Sequence, residues 1–271
     1  MTLELDRRRH AMLQEMGLGA WISAPAAAPV VVAPTQVAPG SGQRPGTEPL
    51  RPGPVPAPAP VASDLSTPVA LVEAGATDWP ALHRAVVQCQ ACGLCAGRRA
   101  PVLGAGGAGR QADWLVLGEP PDEEEERAGE PFAGTQGQLL DNMLRAIDLD
   151  RNGSGAGGAW LSKVVKCRPA RPRNPEPAEL QACQAFLRAE MELVRPRIIL
   201  AMGRFAAQSL LSDSRPDVAT APLGKLRGQV YRYQGLPLVV TYAPDALLRT
   251  PADKAKAWAD LCLARQSLAQ A

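Results

Sequence analysis

The chain has 271 residues, of which 46% are hydrophobic and 21% charged, and its formal net charge at pH 7 is +2. This length allows one large domain or one domain with a tail, and so small a net charge says little about nucleic acid. No apolar run reaches the roughly 18 residues of a membrane-spanning helix, and the N-terminus lacks the apolar stretch of a signal peptide, so we expect a cytosolic protein.

The first element is a short helical pattern within residues 1–23. Asp6 is a possible N-cap and Gly17 a possible end, and the apolar residues are Leu13, Met16, Leu18 and Trp21. So short a helix is marginal alone, and its apolar stripe predicts a peptide that folds into a partner's groove. It resembles the N-terminal peptide of the psi subunit of the bacterial DNA polymerase III clamp loader, which implies that assembly as a partner for residues 3–22. The alternative is that the segment packs on its own domain.

The next segment, residues 24–69, contains 12 of the 27 prolines, together with many Ala, Val and Gly. It buries too little side chain to offset the entropy of ordering it, which predicts a disordered Pro/Ala-rich linker. The remaining residues, 70–271, form the predicted domain.

Apolar periodicity in this domain alternates between strands and helices. The predicted strands are 114–117, 160–165, 198–202, 229–233 and 236–242, and the predicted helices are 135–147, 177–194, 204–211 and 252–268. The alternation predicts a three-layer α/β/α fold with a central, mostly parallel sheet. Ligands of such sheets bind at the carboxyl ends of strands, so residues 118–119, 163–167 and 242–245 are expected to converge. The acidic run 123–126 is interpreted as a solvated face.

The cysteines form a pattern that is typical of a metal site. Cys89 and Cys92 form a Cys-x-x-Cys pair, Cys95 follows, and Cys167 and Cys183 lie far downstream. In a reducing compartment such cysteines indicate metal rather than disulfides. Two close and two distant thiolates suit either zinc or a [4Fe–4S] cluster, and spacing alone does not choose between them. Cys262, in the last predicted helix, is interpreted as a core thiol.

Five motifs occupy the predicted turns and strand ends of the domain. They are Gly118-Glu119-Pro120-Pro121, Glu130-Pro131-Phe132-Ala133-Gly134, Gly137-Gln138-Leu139-Leu140-Asp141, Val164-Val165-Lys166-Cys167-Arg168-Pro169 and Thr241-Tyr242-Ala243-Pro244. Together they resemble the iron–sulfur, type-4 uracil-DNA glycosylases, which flip uracil out of DNA and hydrolyse its glycosidic bond in base excision repair.

The resemblance implies DNA as the partner and a [4Fe–4S] cluster as the cofactor. It assigns the cluster to Cys89, Cys92, Cys167 and Cys183, with Cys95 as the substitute if the first pair shifts. It makes Glu119 the catalytic residue that orients or activates water. It places Phe132, Gln138, Lys163 and Ala243 at substrate-binding positions, and Arg173, Pro244, Leu247 and Arg249 at DNA-binding positions.

Three positions depart from the family pattern. The family has Asn where Lys163 stands, and Lys offers only donors where Asn offers a donor and an acceptor. It has His where Ala243 stands, and loss of one donor to the leaving base typically costs about 3–4 kcal/mol. Asp122 replaces a glycine expected to lie close to a phosphate. These changes leave three hypotheses: a weakened uracil-DNA glycosylase, a catalytically silent accessory protein of the replisome, and a glycosylase for another damaged base.

Overall fold

A computed structural model of the protein describes residues 78–107, 111–169 and 173–270. The predictions for residues 1–23 and 24–69, and the start of the domain at residue 70, lie outside these ranges. One sheet contains six strands, β1 (Ala105–Gly106), β2 (Ala112–Gly118), β3 (Gly155–Lys163), β4 (Ile198–Met202), β5 (Val230–Tyr233) and β6 (Leu236–Thr241).

Eight α-helices alternate with the strands in the described ranges. They are α1 (Trp79–Gln88), α2 (Glu123–Ala128), α3 (Gly134–Arg145), α4 (Pro177–Val194), α5 (Arg204–Leu211), α6 (Leu223–Leu226), α7 (Pro244–Arg249) and α8 (Lys254–Ala269). Short 3₁₀ helices cover Gly93–Gly97, Pro216–Ala219 and Pro251–Asp253. Every helix that the structure describes is too short or too polar to cross a lipid bilayer.

The strand order is β1-β3-β2-β4-β6-β5. The four central strands run parallel, and the two edge strands β1 and β5 pair antiparallel with their neighbours. In this register Gly118 lies opposite Lys163, and Met202 lies opposite Thr241. The carboxyl ends of the central strands therefore form one edge of the sheet, and the prediction of a mostly parallel three-layer fold is confirmed.

Two apolar cores lie on the two faces of the sheet. Leu115 and Leu117 of β2 pack in one core with buried residues of α1, α4 and α5. Trp114 and Val116 pack in the other core with buried residues of α3 and α8. Successive strand residues point to opposite faces, and both faces are covered by helices. This arrangement explains why residues 114–117 of β2 form an unbroken apolar run.

The acidic run forms helix α2, and its interpretation as a solvated face is wrong for Glu125 and Glu126, which are both buried. The Asp122 side chain accepts the Glu125 N–H at 2.8 Å, and the Glu125 side chain accepts the Asp122 N–H at 2.9 Å. This capping box begins the helix. Burial of the two carboxylates is compensated by cationic and N–H partners. Glu125 accepts hydrogen bonds from Lys163 Nζ and the Phe132 N–H, and Glu126 accepts them from Arg168 Nε and the Arg99 N–H.

Candidate functional site

The motif ends converge at the carboxyl edge of the sheet. The Val164 N–H, just after β3, donates to the Gly118 carbonyl at 3.1 Å, and the Gly203 N–H donates to the Thr241 carbonyl at 2.9 Å. Glu119 follows β2 at this edge, and the charges of Lys163 and Asp245 both act on its pKa. The three segments that the sequence predicted to converge are thus neighbours in the fold.

Phe132 has a buried ring and a left-handed backbone, with φ of +54°. This region is costly for a bulky residue, by about 1–3 kcal/mol, and such outliers cluster at functional sites. The Phe132 N–H donates to Glu125 Oε1 at 2.5 Å, which holds the turn in place. The ring packs directly on Gly118, where a Cβ would overlap the ring atoms. Glycine at position 118 therefore gives the ring its place beside the end of β2.

Lys163 and Glu125 form a buried ion pair beside this ring. Lys163 Nζ lies 2.7 Å from Glu125 Oε1, and the two side chains are 3% and 0% exposed. Lys163 Nζ also lies 4.4 Å from the centroid of the Phe132 ring, over its face. This is a cation–π contact in a water-excluded setting, where such contacts are strongest. The ammonium thus occupies space above the ring that is proposed to stack on a base.

Glu119 caps helix α5, and its Oε1 accepts the Phe205 N–H at 2.7 Å. Burial raises the pKa of the Glu119 carboxyl to about 7, although the N–H groups of Phe205 and Ala206 and the charge of Lys163 act in the opposite direction. Gly203, with φ of +107°, leaves room for the carboxylate, since a Cβ there would overlap it. Burial thus brings the pKa of this carboxyl toward neutral pH, where the group is able to take up or release a proton.

The last motif places Ala243 at the N-cap of α7, where both Ala243 and Pro244 are buried. The Ala243 methyl group has no hydrogen-bonding capacity, so this position offers a ligand no side-chain donor.

The two leucines of α7 have opposite environments. Leu247 is fully buried in the core with α3 and α8, whereas Leu248 is 44% exposed. Arg249 is exposed, and its Nη1 pairs with Asp245 Oδ2 at 2.8 Å. Leu248 is therefore the leucine of this helix that is available to a surface partner.

Two further predicted site residues lie on other elements. Gln138 is exposed on α3. The Arg173 guanidinium makes two hydrogen bonds to the Glu179 carboxylate, at 2.7 and 2.8 Å. Arg173 is thus already paired on the surface, and a phosphate would compete with Glu179 for its donors.

Cysteines that are distant in sequence line one small cavity. Cys89, Cys92, Cys95, Cys167 and Cys183 all line it, together with Arg98 and Lys166. Arg98 Nη1 donates to Cys167 Sγ at 3.1 Å, and the Lys166 N–H donates to Cys183 Sγ at 3.3 Å. Burial raises the pKa of the Cys183 thiol to about 12. Cys262 lies half-buried on α8 and does not line the cavity.

The cysteine sulfurs line the cavity, but they do not converge on one position that a single metal ion could occupy. Within the described ranges, no three His, Cys, Asp or Glu side chains are placed to hold a single metal ion. Three donors nonetheless reach cysteine sulfurs, because the Ala91 N–H also donates to Cys89 Sγ at 3.5 Å. Hydrogen bonds of this kind favour the thiolate form. The cavity is therefore lined by cysteine sulfurs, three of which accept hydrogen bonds.

Comparisons with known proteins identify relatives of this domain. Residues 106–262 match the family profile described as the uracil DNA glycosylase superfamily. The type-4 uracil-DNA glycosylase of Pyrobaculum aerophilum is 33% identical over 192 residues, which cover 69% of this chain and 92% of that protein. That of Archaeoglobus fulgidus is 32% identical over 172 residues, covering 62% and 82%. That of Thermotoga maritima is 34% identical over 165 residues, covering 60% and 80%. The chain belongs to the uracil-DNA glycosylase superfamily.

In this member of the uracil-DNA glycosylase superfamily, the sequence reasoning missed Glu125 and Arg98. The Asp122-x-x-Glu125 spacing is a capping-box signal, and it would have separated Glu125 from the other acidic residues. A buried lysine at the end of an apolar strand also calls for a carboxylate partner, and Lys163 pairs with Glu125. No sequence signal relates Arg98 to Cys167, because 69 residues separate them.

Proposed function

We propose that the protein binds DNA and acts on the glycosidic bond of a flipped base, with uracil excision weakened by Lys163 and Ala243. The observation that carries this proposal is the meeting of Glu119, Phe132 and Lys163 at one edge of the family's scaffold. Relatives with this scaffold are named as type-4 uracil-DNA glycosylases. We further propose the division into residues 1–23, 24–69 and 70–271.

Glu119 and Phe132 have distinct roles in this proposal. The flipped base stacks on the Phe132 ring, which the Glu125 carboxylate and Gly118 hold in position. The Glu119 carboxylate orients a water molecule and accepts a proton as that water attacks the sugar carbon. A pKa of about 7 suits this role, because the ionised form is available at neutral pH and still has affinity for a proton.

The weakening follows from two side chains. The Lys163 ammonium lies over the Phe132 ring and therefore blocks the stacking of a base on this face. It also offers donors only, whereas the edge of uracil carries both a donor and an acceptor. Ala243 contributes no hydrogen bond to the oxygen on which charge develops. A missing donor of this kind lowers rates by about 10²–10³. A base whose edge presents acceptors alone would suit the Lys163 ammonium better, which keeps another damaged base as a possible substrate class.

An excision assay tests the proposed reaction. The full chain is incubated with single- and double-stranded oligonucleotides that contain uracil, and abasic sites are revealed by alkaline cleavage. Glu119→Gln is the matched control, because it keeps the shape of the side chain and removes its basicity. Release that is slow for the native chain and lost in the variant supports the proposal. Release that is unchanged in the Glu119→Gln variant contradicts the role of Glu119.

We also propose that Cys89, Cys92, Cys167 and Cys183 hold a [4Fe–4S] cluster. Thiols spread around a cavity suit a cluster, which is wider than a zinc ion, and donors to the sulfurs are common at such centres. When bound, the cluster would join α1, the end of β3 and α4 through its four ligands. Anaerobically purified protein should be brown and carry about four irons per chain. Stoichiometric zinc without iron would contradict this assignment.

A second candidate function is DNA binding without excision, and the Lys163 ammonium over the Phe132 ring favours it. In this case residues 3–22 would attach the domain to a clamp loader. Deleting residues 1–23 should then abolish capture by the clamp-loader collar and leave the melting temperature and DNA affinity of the domain unchanged. If the segment instead packs on its own domain, the deletion lowers the melting temperature and no partner is lost.

A further inference from the structure

The cysteine cavity has one thiol more than a cluster with four cysteine ligands requires. The extra thiol belongs to Cys95, on the 3₁₀ helix Gly93–Gly97, for which Cys92 is the N-cap. The Cys95 N–H donates to the Cys92 carbonyl at 3.3 Å. Cys92 and Cys95 thus belong to one short turn of the chain. Both line the cavity, and both are half-buried.

Two contacts hold this turn against the cavity. Leu94, between the two cysteines, is buried in the apolar core with α1 and α4. Arg98, just after the turn, donates to the Val87 carbonyl at 2.6 Å and to Cys167 Sγ at 3.1 Å. Contacts of the residues on either side of Cys95 thus keep this short helix beside the cavity.

The other three cysteines of the cavity have no such neighbour on the same turn. Cys89 ends α1, Cys167 follows β3 and Cys183 lies within α4, and all three are buried. Among these four cysteines, only Cys92 has a further cavity thiol, that of Cys95, close by on the same turn. The Cys92 and Cys95 side chains are both half-buried.

We propose that Cys95 is an alternative ligand for the cluster position assigned to Cys92. The proposal rests on the cluster proposed above and extends it to a fifth residue. The exchange replaces one thiolate by another, so the charge around the cluster is unchanged. The incoming Cys95 thiol releases a proton as it binds iron, and the departing Cys92 thiolate takes one up. The exchange is confined to the short segment that carries Cys92 and Cys95, because Cys89, Cys167 and Cys183 keep their places.

Iron content of reconstituted variants of the full chain tests the exchange. We expect about four irons per chain in the wild type and in the Cys92→Ala, Cys95→Ala and Cys262→Ala variants. We expect fewer than about one iron in the Cys92→Ala/Cys95→Ala double variant and in Cys183→Ala, which removes a ligand without a substitute. Visible absorption and sulfide content are measured on the same samples.

Alkylation of the cluster-loaded proteins supplies a readout that does not depend on how well the double variant folds. With the wild type, iodoacetamide followed by mass spectrometry should label Cys95 and spare Cys92. With the Cys92→Ala variant, Cys95 should be protected until the cluster is removed with a chelator. A Cys92→Ala variant that binds no iron, or that binds iron while Cys95 is still labelled, overturns the proposal for Cys95. A wild type without iron overturns the cluster assignment as well, so the two failures are distinguishable.

Discussion

The Lys163 ammonium lies over the face of the Phe132 ring, with Nζ 4.4 Å from the ring centroid. The same ammonium pairs with Glu125 Oε1, which also accepts the backbone N–H of Phe132. One carboxylate thus holds both the residue proposed to stack on the base and the residue at the base-reading position. A base reaches this face of the ring only when the ammonium moves aside.

Restoring the two family residues should therefore restore activity. We expect the Lys163→Asn/Ala243→His variant to release uracil at least about 10²-fold faster than the native chain, since one missing donor alone has about this effect. Release is measured in single-turnover assays on a uracil oligonucleotide. Because residues that act as a unit are not additive, each single variant should recover only a small part of the increase. If the native chain already releases uracil as fast as the Lys163→Asn/Ala243→His variant, this account of the pocket is contradicted.

The Lys163–Glu125 pair should also show in stability. Lys163→Met leaves the Glu125 carboxylate buried without its cation, and such losses destabilise by about 3–5 kcal/mol. Adding Glu125→Gln removes the uncompensated charge, so the double variant should be more stable than Lys163→Met alone. Chemical denaturation of the native chain, the Lys163→Met and Glu125→Gln single variants and the double variant gives the coupling energy, which we expect to exceed about 1 kcal/mol. Additive effects would show that solvent, and not Glu125, balances the charge of Lys163.

Glu119 should make stability depend on pH. Its folded-state pKa of about 7 lies above the ordinary value of 4.5, so the folded protein holds this proton more tightly than the unfolded chain. The resulting stabilisation is complete below the ordinary pKa and is lost as the pH rises through about 7. Glu119→Gln should flatten the fall in melting temperature between about pH 5 and pH 8. An equal fall in both proteins would assign the pH dependence to other groups.

Leu247 and Leu248 provide a matched pair on α7. Leu247→Ala removes a fully buried side chain and should cost about 2–5 kcal/mol, whereas Leu248→Ala at an exposed position should cost less than about 0.5 kcal/mol. DNA affinity, measured by fluorescence anisotropy, should fall in Leu248→Ala if this leucine contacts DNA. If only Leu247→Ala lowered the affinity for DNA, and did so without a change in stability, then Leu247 and not Leu248 would be the leucine that contacts DNA.

The sequence by itself determined the order and type of the main elements. Helix α4 begins at Pro177 and ends at Val194 as predicted, and strand β4 covers 198–202, because proline, glycine and apolar periodicity act over a few residues. Strand β3 begins earlier than predicted, at Gly155, because Gly155 pairs with Ala112 of β2 and Gly158 bridges Asp150. Hydrogen bonds supplied by a distant strand override the local preference of glycine against strands.

The tertiary structure alone decided which charges are buried and which thiols meet. Glu125 and Glu123 belong to one acidic run, yet Glu125 is buried on Lys163 while Glu123 is exposed. Cys95 is only a substitute ligand in the sequence pattern, and the fold places it at the same cavity as Cys183. Burial and pairing depend on contacts between residues far apart in the chain. Local composition and spacing do not predict such contacts directly. The contacts form only when the sheet and its helices pack together.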